Sequence, residues 1–176
     1  MTRQLLLFCV SCSLLAWLPT AGADELPLRK PGLWEMKVVK TGPTPEMAMQ
    51  HCTDAATDHD MSNTVSPLAK QICSKQDIQK TATGYTIDSV CTVGGVSMTS
   101  HSDIVGDFDA AYTVTTTAHS ERGVAGIHDT ITKIEARWLG ACKPGQKPGD
   151  IIMPGGGFKL NVKDAEKLKG LLSPSR

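Results

Sequence analysis

Between Gly84 and Leu139 the chain alternates apolar and polar residues almost without pause, and only glycine-bearing turns interrupt it. A period of two is the mark of a half-buried strand and does not lie on one face of a helix. The run from Gly84 to Val93 leads into Gly94-Gly95. Two glycines between alternating runs signal a two-residue hairpin, because both central residues of such a turn need positive φ. Val96 to Val105 is the next strand, and Gly106-Asp107-Phe108-Asp109 is a turn. Ala111 to Ala118 is a β-branched run that suits a pleated surface. Gly123 and Gly126 bracket another turn, and Ile127 to Leu139 is a last long strand. Upstream, Trp34, Met36 and Val38 share a face against Glu35 and Lys37, and Met47, Met49 and His51 alternate with Ala48, Gln50 and Cys52. A turn at Thr41-Gly42-Pro43-Thr44 joins these two into a first hairpin. The expected fold is mainly β: a curved antiparallel meander sheet or half-open barrel, with one or two short helices and two disulfides.

Register is readable for one pair. Val96, Met98 and Ile104 form one apolar face, and Tyr112, Val114 and Ala118 form another. They meet only when paired numbers sum to an even value, since a one-residue slip sends every side chain to the opposite face. A sum of 216 pairs Ile104 with Tyr112 and Met98 with Ala118, centring the turn on Phe108. Thr53 is placed to cap a short helix. Residues 57–68 read as a polar loop with some helical turn. From Lys143 onward the chain is turn-rich, with Pro154-Gly155-Gly156-Gly157 as a connector, and Asn161 to Leu172 spaces Val162, Ala165, Leu168 and Leu172 as a helix would.

The N-terminus carries one arginine, an apolar stretch from Leu5 to Leu18 and the small-residue exit Ala21-Gly22-Ala23, the layout of a secretory leader. Residues 1–23 are therefore expected to be removed after Ala23, leaving 24–176 as a single β-rich domain in the periplasm. No later segment is apolar enough to span a bilayer, which takes about 20 residues. Of six cysteines, Cys9 and Cys12 lie in the leader. Cys52, Cys73, Cys91 and Cys142 remain, an even number for an oxidising compartment. Cys73 and Cys91 flank a turn signal at Thr81-Ala82-Thr83-Gly84, and their midpoint is residue 82, so a hairpin sets them opposite each other. That leaves Cys52 to pair with Cys142. No C-x-x-C pair stands in this part of the chain, so zinc is not expected.

The 18 basic and 18 acidic residues cancel, and no basic face marks a nucleic-acid partner. Gly155-Gly156-Gly157 is followed by Phe158-Lys159-Leu160 rather than Gly-Lys-Ser/Thr, so a phosphate cradle is not indicated. Ser100-His101-Ser102-Asp103 holds hydrolase-like parts, but on a strand His101 and Asp103 face one way and both serines the other. They cannot form a triad among themselves. They make a speculative polar site on a face shared with Ser97, Thr99, Thr113, Thr115, Thr117 and His119. His51, Asp54, Asp58, His59 and Asp60 are a mixed imidazole and carboxylate cluster that reads mainly as a solvated loop and only secondarily as a metal site. No cofactor and no metal is expected.

The segment Arg29-Lys30-Pro31-Gly32-Leu33-Trp34-Glu35, the four cysteines in this order and the ending Arg137-Trp138-Leu139-Gly140-Ala141-Cys142 resemble a bacterial envelope family, domain of unknown function 3617. The likeness runs over roughly residues 29–165. It implies an exported protein with these staples and brings no catalytic residue or ligand with it.

Three functions follow as expectations. The first is a non-enzymatic periplasmic module that binds an apolar small molecule or an envelope protein, with Trp34, Met36, Met47, Met49, Tyr85 and Trp138 as lining. The second is a structural or interaction protein with a filled core, favoured by cavities below the usual ligand range of about 300 Å³. The third is a hydrolase-like enzyme using His101 and Asp103, which an isolated His101 would dismiss.

Overall fold

The computed structural model describes residues 25–39, 47–61, 72–124, 126–153 and 159–164. Nine strands form one antiparallel sheet: β1 (Gly32–Val39), β2 (Met47–Thr53), β3 (Cys73–Lys80), β4 (Gly84–Val93), β5 (Val96–Asp107), β6 (Ala111–Val124), β7 (Ile127–Gly140), β8 (Asp150–Ile152) and β9 (Lys159–Asn161). Their order is β3-β4-β5-β6-β7-β1-β2-β8-β9, and the sheet does not close into a barrel. The meander β3 to β7 is thus extended by the N-terminal hairpin, whose first strand pairs with β7. The turn between β4 and β5 is Gly94-Gly95 with φ of 58° and 77°, as the two-residue hairpin requires.

Several expectations need correction. In β5 and β6, Ile104 pairs with Val114 and Met98 with Ser120, a sum of 218 rather than 216. The even parity holds, so the faces are as read, but the pairing moves by two. Gly106 remains in β5 and the reversal runs through residues 108–110. In the tail, Asn161 ends β9 instead of opening a helix, and helical backbone covers only 162–164 of the described residues. Residues 62–68, 154–158 and 165–172 lie outside those described. The short helix α1 spans residues 55–61. Its cap is Asp54, not Thr53: Asp54 Oδ1 accepts from the Thr57 amide at 2.8 Å, and Thr57 Oγ1 accepts from the Asp54 amide at 3.0 Å. This reciprocal pair satisfies orphan amides at the helix start.

The disulfides join Cys73 to Cys91 and Cys52 to Cys142. Over most of β3 and β4 the register pairs Lys80 with Tyr85 and Lys75 with Val90. A bulge between Cys73 and Lys75 shifts it by one, and that brings Cys73 opposite Cys91.

Cross-strand register aligns Tyr85, Ile104, Val114, Ile134, Val38 and Met47 in one apolar row over six strands. Beside it run Tyr112, Ala136, Met36 and Met49. Farther along the same face the rows turn polar, with Ser89 bonded to Ser100 at 2.7 Å and Ser102 to Thr116 at 2.8 Å. The buried core lies at the apolar end, in Leu33, Trp34, Cys52, Ile104, Ala136 and Val162.

Candidate functional site

The segment Glu25 to Lys30 precedes β1 without regular secondary structure and carries the buried Arg29. Arg29 meets Asp58 of α1 three ways. Its amide donates to Oδ2 at 2.7 Å, its Nε to Oδ1 at 2.7 Å, and its Nη2 stands 2.6 Å from Oδ1. Nη2 also donates to His51 Nδ1 at 3.2 Å. Arg29, Asp58 and His51 are 8%, 2% and 1% exposed, so this ion pair has left bulk water. A guanidinium cannot accept, so His51 Nδ1 is unprotonated and the neutral ring carries its hydrogen on Nε2. Among the described residues, that buried Nε2 has no hydrogen-bond partner. Burial, then Arg29, push the His51 pKa down to about 4, with Asp58 opposing. Thr53 and Thr57, also buried, bond to each other at 3.3 Å beside Asp58.

Against this cluster lies an open pocket of about 190 Å³ lined by Leu26, Pro27, Arg29, Met36, Asp58, Met61, Phe108 and Tyr112. Its two aromatic lining residues, Phe108 and Tyr112, belong to a larger aromatic group. Trp34 and Tyr112 centroids are 5.7 Å apart, Tyr112 and Phe108 stack at 4.7 Å, and Phe108 meets Tyr85 edge-on at 6.0 Å. Each such pair contributes about 0.5–1.5 kcal/mol beyond its burial. Burial raises the Tyr112 pKa, so its phenol stays neutral.

The six residues expected to line a ligand site take different places. Trp34 is fully buried, its Nε1 donating to the Lys30 carbonyl at 2.8 Å. Met36 lines the cavity, and its Sδ lies 3.7 Å from Arg29 Nη1. Met49 is half-buried opposite Met36, while Met47 is 44% exposed farther along β2. Tyr85 reaches the cavity only through Phe108. Trp138 donates to the Pro31 carbonyl at 3.1 Å and lies under the Lys30 ammonium at 3.9 Å. Arg29 was read only as part of the Arg29–Glu35 motif and Phe108 only as the centre of a turn, and no periodicity marks either as a site residue.

His101 and Asp103 lie on the opposite face of the sheet. His101 Nδ1 donates to Asp88 Oδ1 at 2.7 Å, and its Nε2 is 3.5 Å from Asp103 Oδ1. The Asp88 bond raises the His101 pKa. His119 makes a matching bond to Asp129 at 2.7 Å. With Lys75, Thr99 and Thr117 they border an open depression of about 420 Å³. His101 therefore has acid partners, but its side chain is 46% exposed, where water screens such pairs. The imidazole and carboxylate cluster of 51–60 is divided by the fold: His51 and Asp58 are buried with Arg29, and Asp54 caps α1. Among the described residues no three His, Cys, Asp or Glu side chains gather as a metal site, and no helix is long and apolar enough to cross a membrane.

A family model described as protein of unknown function, DUF3617, matches residues 29–142. The match starts at Arg29 and ends at Cys142, so it spans the buried cluster and both disulfides. No curated protein and no solved structure matches the chain.

Proposed function

The chain belongs to the DUF3617 family, and from that premise we propose that it is an exported, non-enzymatic module of the bacterial envelope that binds a small apolar molecule. The observation that carries this reading is the aromatic- and methionine-lined cavity of about 190 Å³ beneath residues 25–29. A space of about 150 Å³ is enough to hold one benzene ring, so by size the guest is a single ring or a short alkyl group, set against the Arg29–Asp58 pair at the pocket's polar side. Met36 and Met61 suit such a guest because an unbranched thioether adapts to irregular shapes. The leader-like N-terminus and two disulfides support export to an oxidising compartment. The half-exposed setting of His101 on an open sheet face supports a role other than catalysis.

Native mass spectrometry of the protein taken from its own periplasm tests the proposal. The expected spectrum holds a small apolar species that is lost in Met36→Trp, which fills the cavity. Repeated spectra of bare protein would overturn it. They would favour a second reading, a structural envelope protein with a filled core.

A further inference from the structure

We propose that residues 25–29 are an acid-released gate over this cavity, latched by Arg29 where it bridges Asp58 and His51. Among the described residues, the polar contacts of this segment pass through Arg29: to Asp58, to His51, to Tyr112 and to Met36 Sδ. Leu26 and Pro27, half-buried, form one wall of the cavity. The chain just beyond is anchored separately, the Lys30 amide donating to the Phe108 carbonyl at 2.9 Å and both tryptophans bonding to the Lys30 and Pro31 carbonyls. Residues 25–29 can therefore swing without disturbing β1. Cleavage after Ala23 would leave them as the mature N-terminal segment, tethered at one end only.

The latch depends on a neutral imidazole. With His51 neutral, one guanidinium and one carboxylate balance, and Nδ1 accepts from Arg29. A proton on Nδ1 removes that acceptor and places two cations against one buried carboxylate. Among the described residues, Arg29 and Asp58 are the charges that act on His51. On β1 the residue opposite His51 is Trp34, and on β8 it is Ile151. Tyr112 of β6 stays neutral, and Asp150 of β8 is engaged with Asn161, Lys159 and the Lys147 amide. An uncompensated buried charge is strongly unfavourable, so one cation must leave. His51 is held in β2 between two paired strands, whereas Arg29 lies outside the sheet and, once the expected leader is removed, would sit on a segment with a free end. The gate rests on the cavity assignment above for its purpose, but its opening needs no guest and is measured without one.

The experiment is a backbone ¹⁵N relaxation series on the oxidised, ligand-free protein from pH 7 to pH 3, with the His51 ring followed alongside. The expected result is that the amides of Leu26, Leu28 and Arg29 pass from the order of β1 (about 0.85) to below about 0.6. The midpoint should follow His51 protonation, while β5 and β6 stay rigid. His51→Gln should keep the gate closed throughout. If that variant does not fold, Arg29→Met serves instead, with the gate open already at pH 7. A segment that stays as rigid as β1 once His51 is protonated would overturn the proposal. So would loosening of the whole sheet at the same midpoint, or an unchanged response in His51→Gln. A missing guest in the native mass spectrum would leave these amide readings as they are.

Discussion

His51 shows how one residue couples burial to pH. Its pKa is 6.5 when unhindered and about 4 in the fold, because burial and the facing guanidinium disfavour the imidazolium. The unfolded chain therefore binds more protons between these values, and stability rises with pH across that window. Its contribution is complete above about pH 6.5 and lost as pH falls toward 4. A shift of this size is at most about 3 kcal/mol, less whatever release of residues 25–29 relieves. Urea unfolding of the wild type and His51→Gln across pH 4 to 7 should show the gap between them change by up to that amount. Parallel pH profiles would contradict it. Gly32 makes a second residue-scale case. Its φ is 135°, and a Cβ there would meet the Gly140 carbonyl and, at 2.6 Å, Trp138 Nε1. Gly94, at φ 58°, has open space around it. Gly32→Ala should cost about 2–4 kcal/mol, strain and clash together, and Gly94→Ala only about 1 kcal/mol. Thermal melts of the two variants would check the order, and equal losses would refute it.

At the scale of elements, the two disulfides differ in what they restrain. Cys52–Cys142 spans 90 residues of sequence and Cys73–Cys91 spans 18. Loop-closure entropy gives about 4.6 kcal/mol for the first and about 3.2 kcal/mol for the second. Replacing Cys52 and Cys142 by serine should therefore destabilise the chain by about 1.4 kcal/mol more than replacing Cys73 and Cys91. Cys52 is also fully buried, which widens the gap. Urea midpoints in the opposite order would sink this account. The hairpins were legible because turn chemistry is local: Gly94-Gly95 and the Thr81 to Gly84 turn mark their strands within a few residues. The pairing of β1 with β7 was not, since it joins residues about a hundred apart with no shared local signal. Strands β8 and β9 have three residues each, too few for a period to show. The two-residue offset between β5 and β6 escaped for a related reason. Alternation fixes which face a side chain takes, but sums of 216 and 218 give the same faces. The candidate site was legible in part: Met36 and Trp34 could be read from alternation. Arg29 and Asp58 could not, because a charge is expected in water unless a distant partner buries it.

Taken whole, the molecule is one open sheet with its core gathered at the end where β1, β2, β6 and β7 meet residues 25–31 and α1. Seven polar or charged residues are buried among the described ones, against six apolar residues. A core so modest and so polar leans on its covalent links. The edge strand β3 carries Lys75, Asp77 and Lys80, charges of the kind that discourage edge-to-edge association. The most direct check on the account is the intact mass of the protein recovered from the periplasm, measured denatured with and without reduction. The account predicts a polypeptide beginning at Asp24 that gains four hydrogens on reduction. A chain that still begins at Met1 and takes up no hydrogen would contradict it.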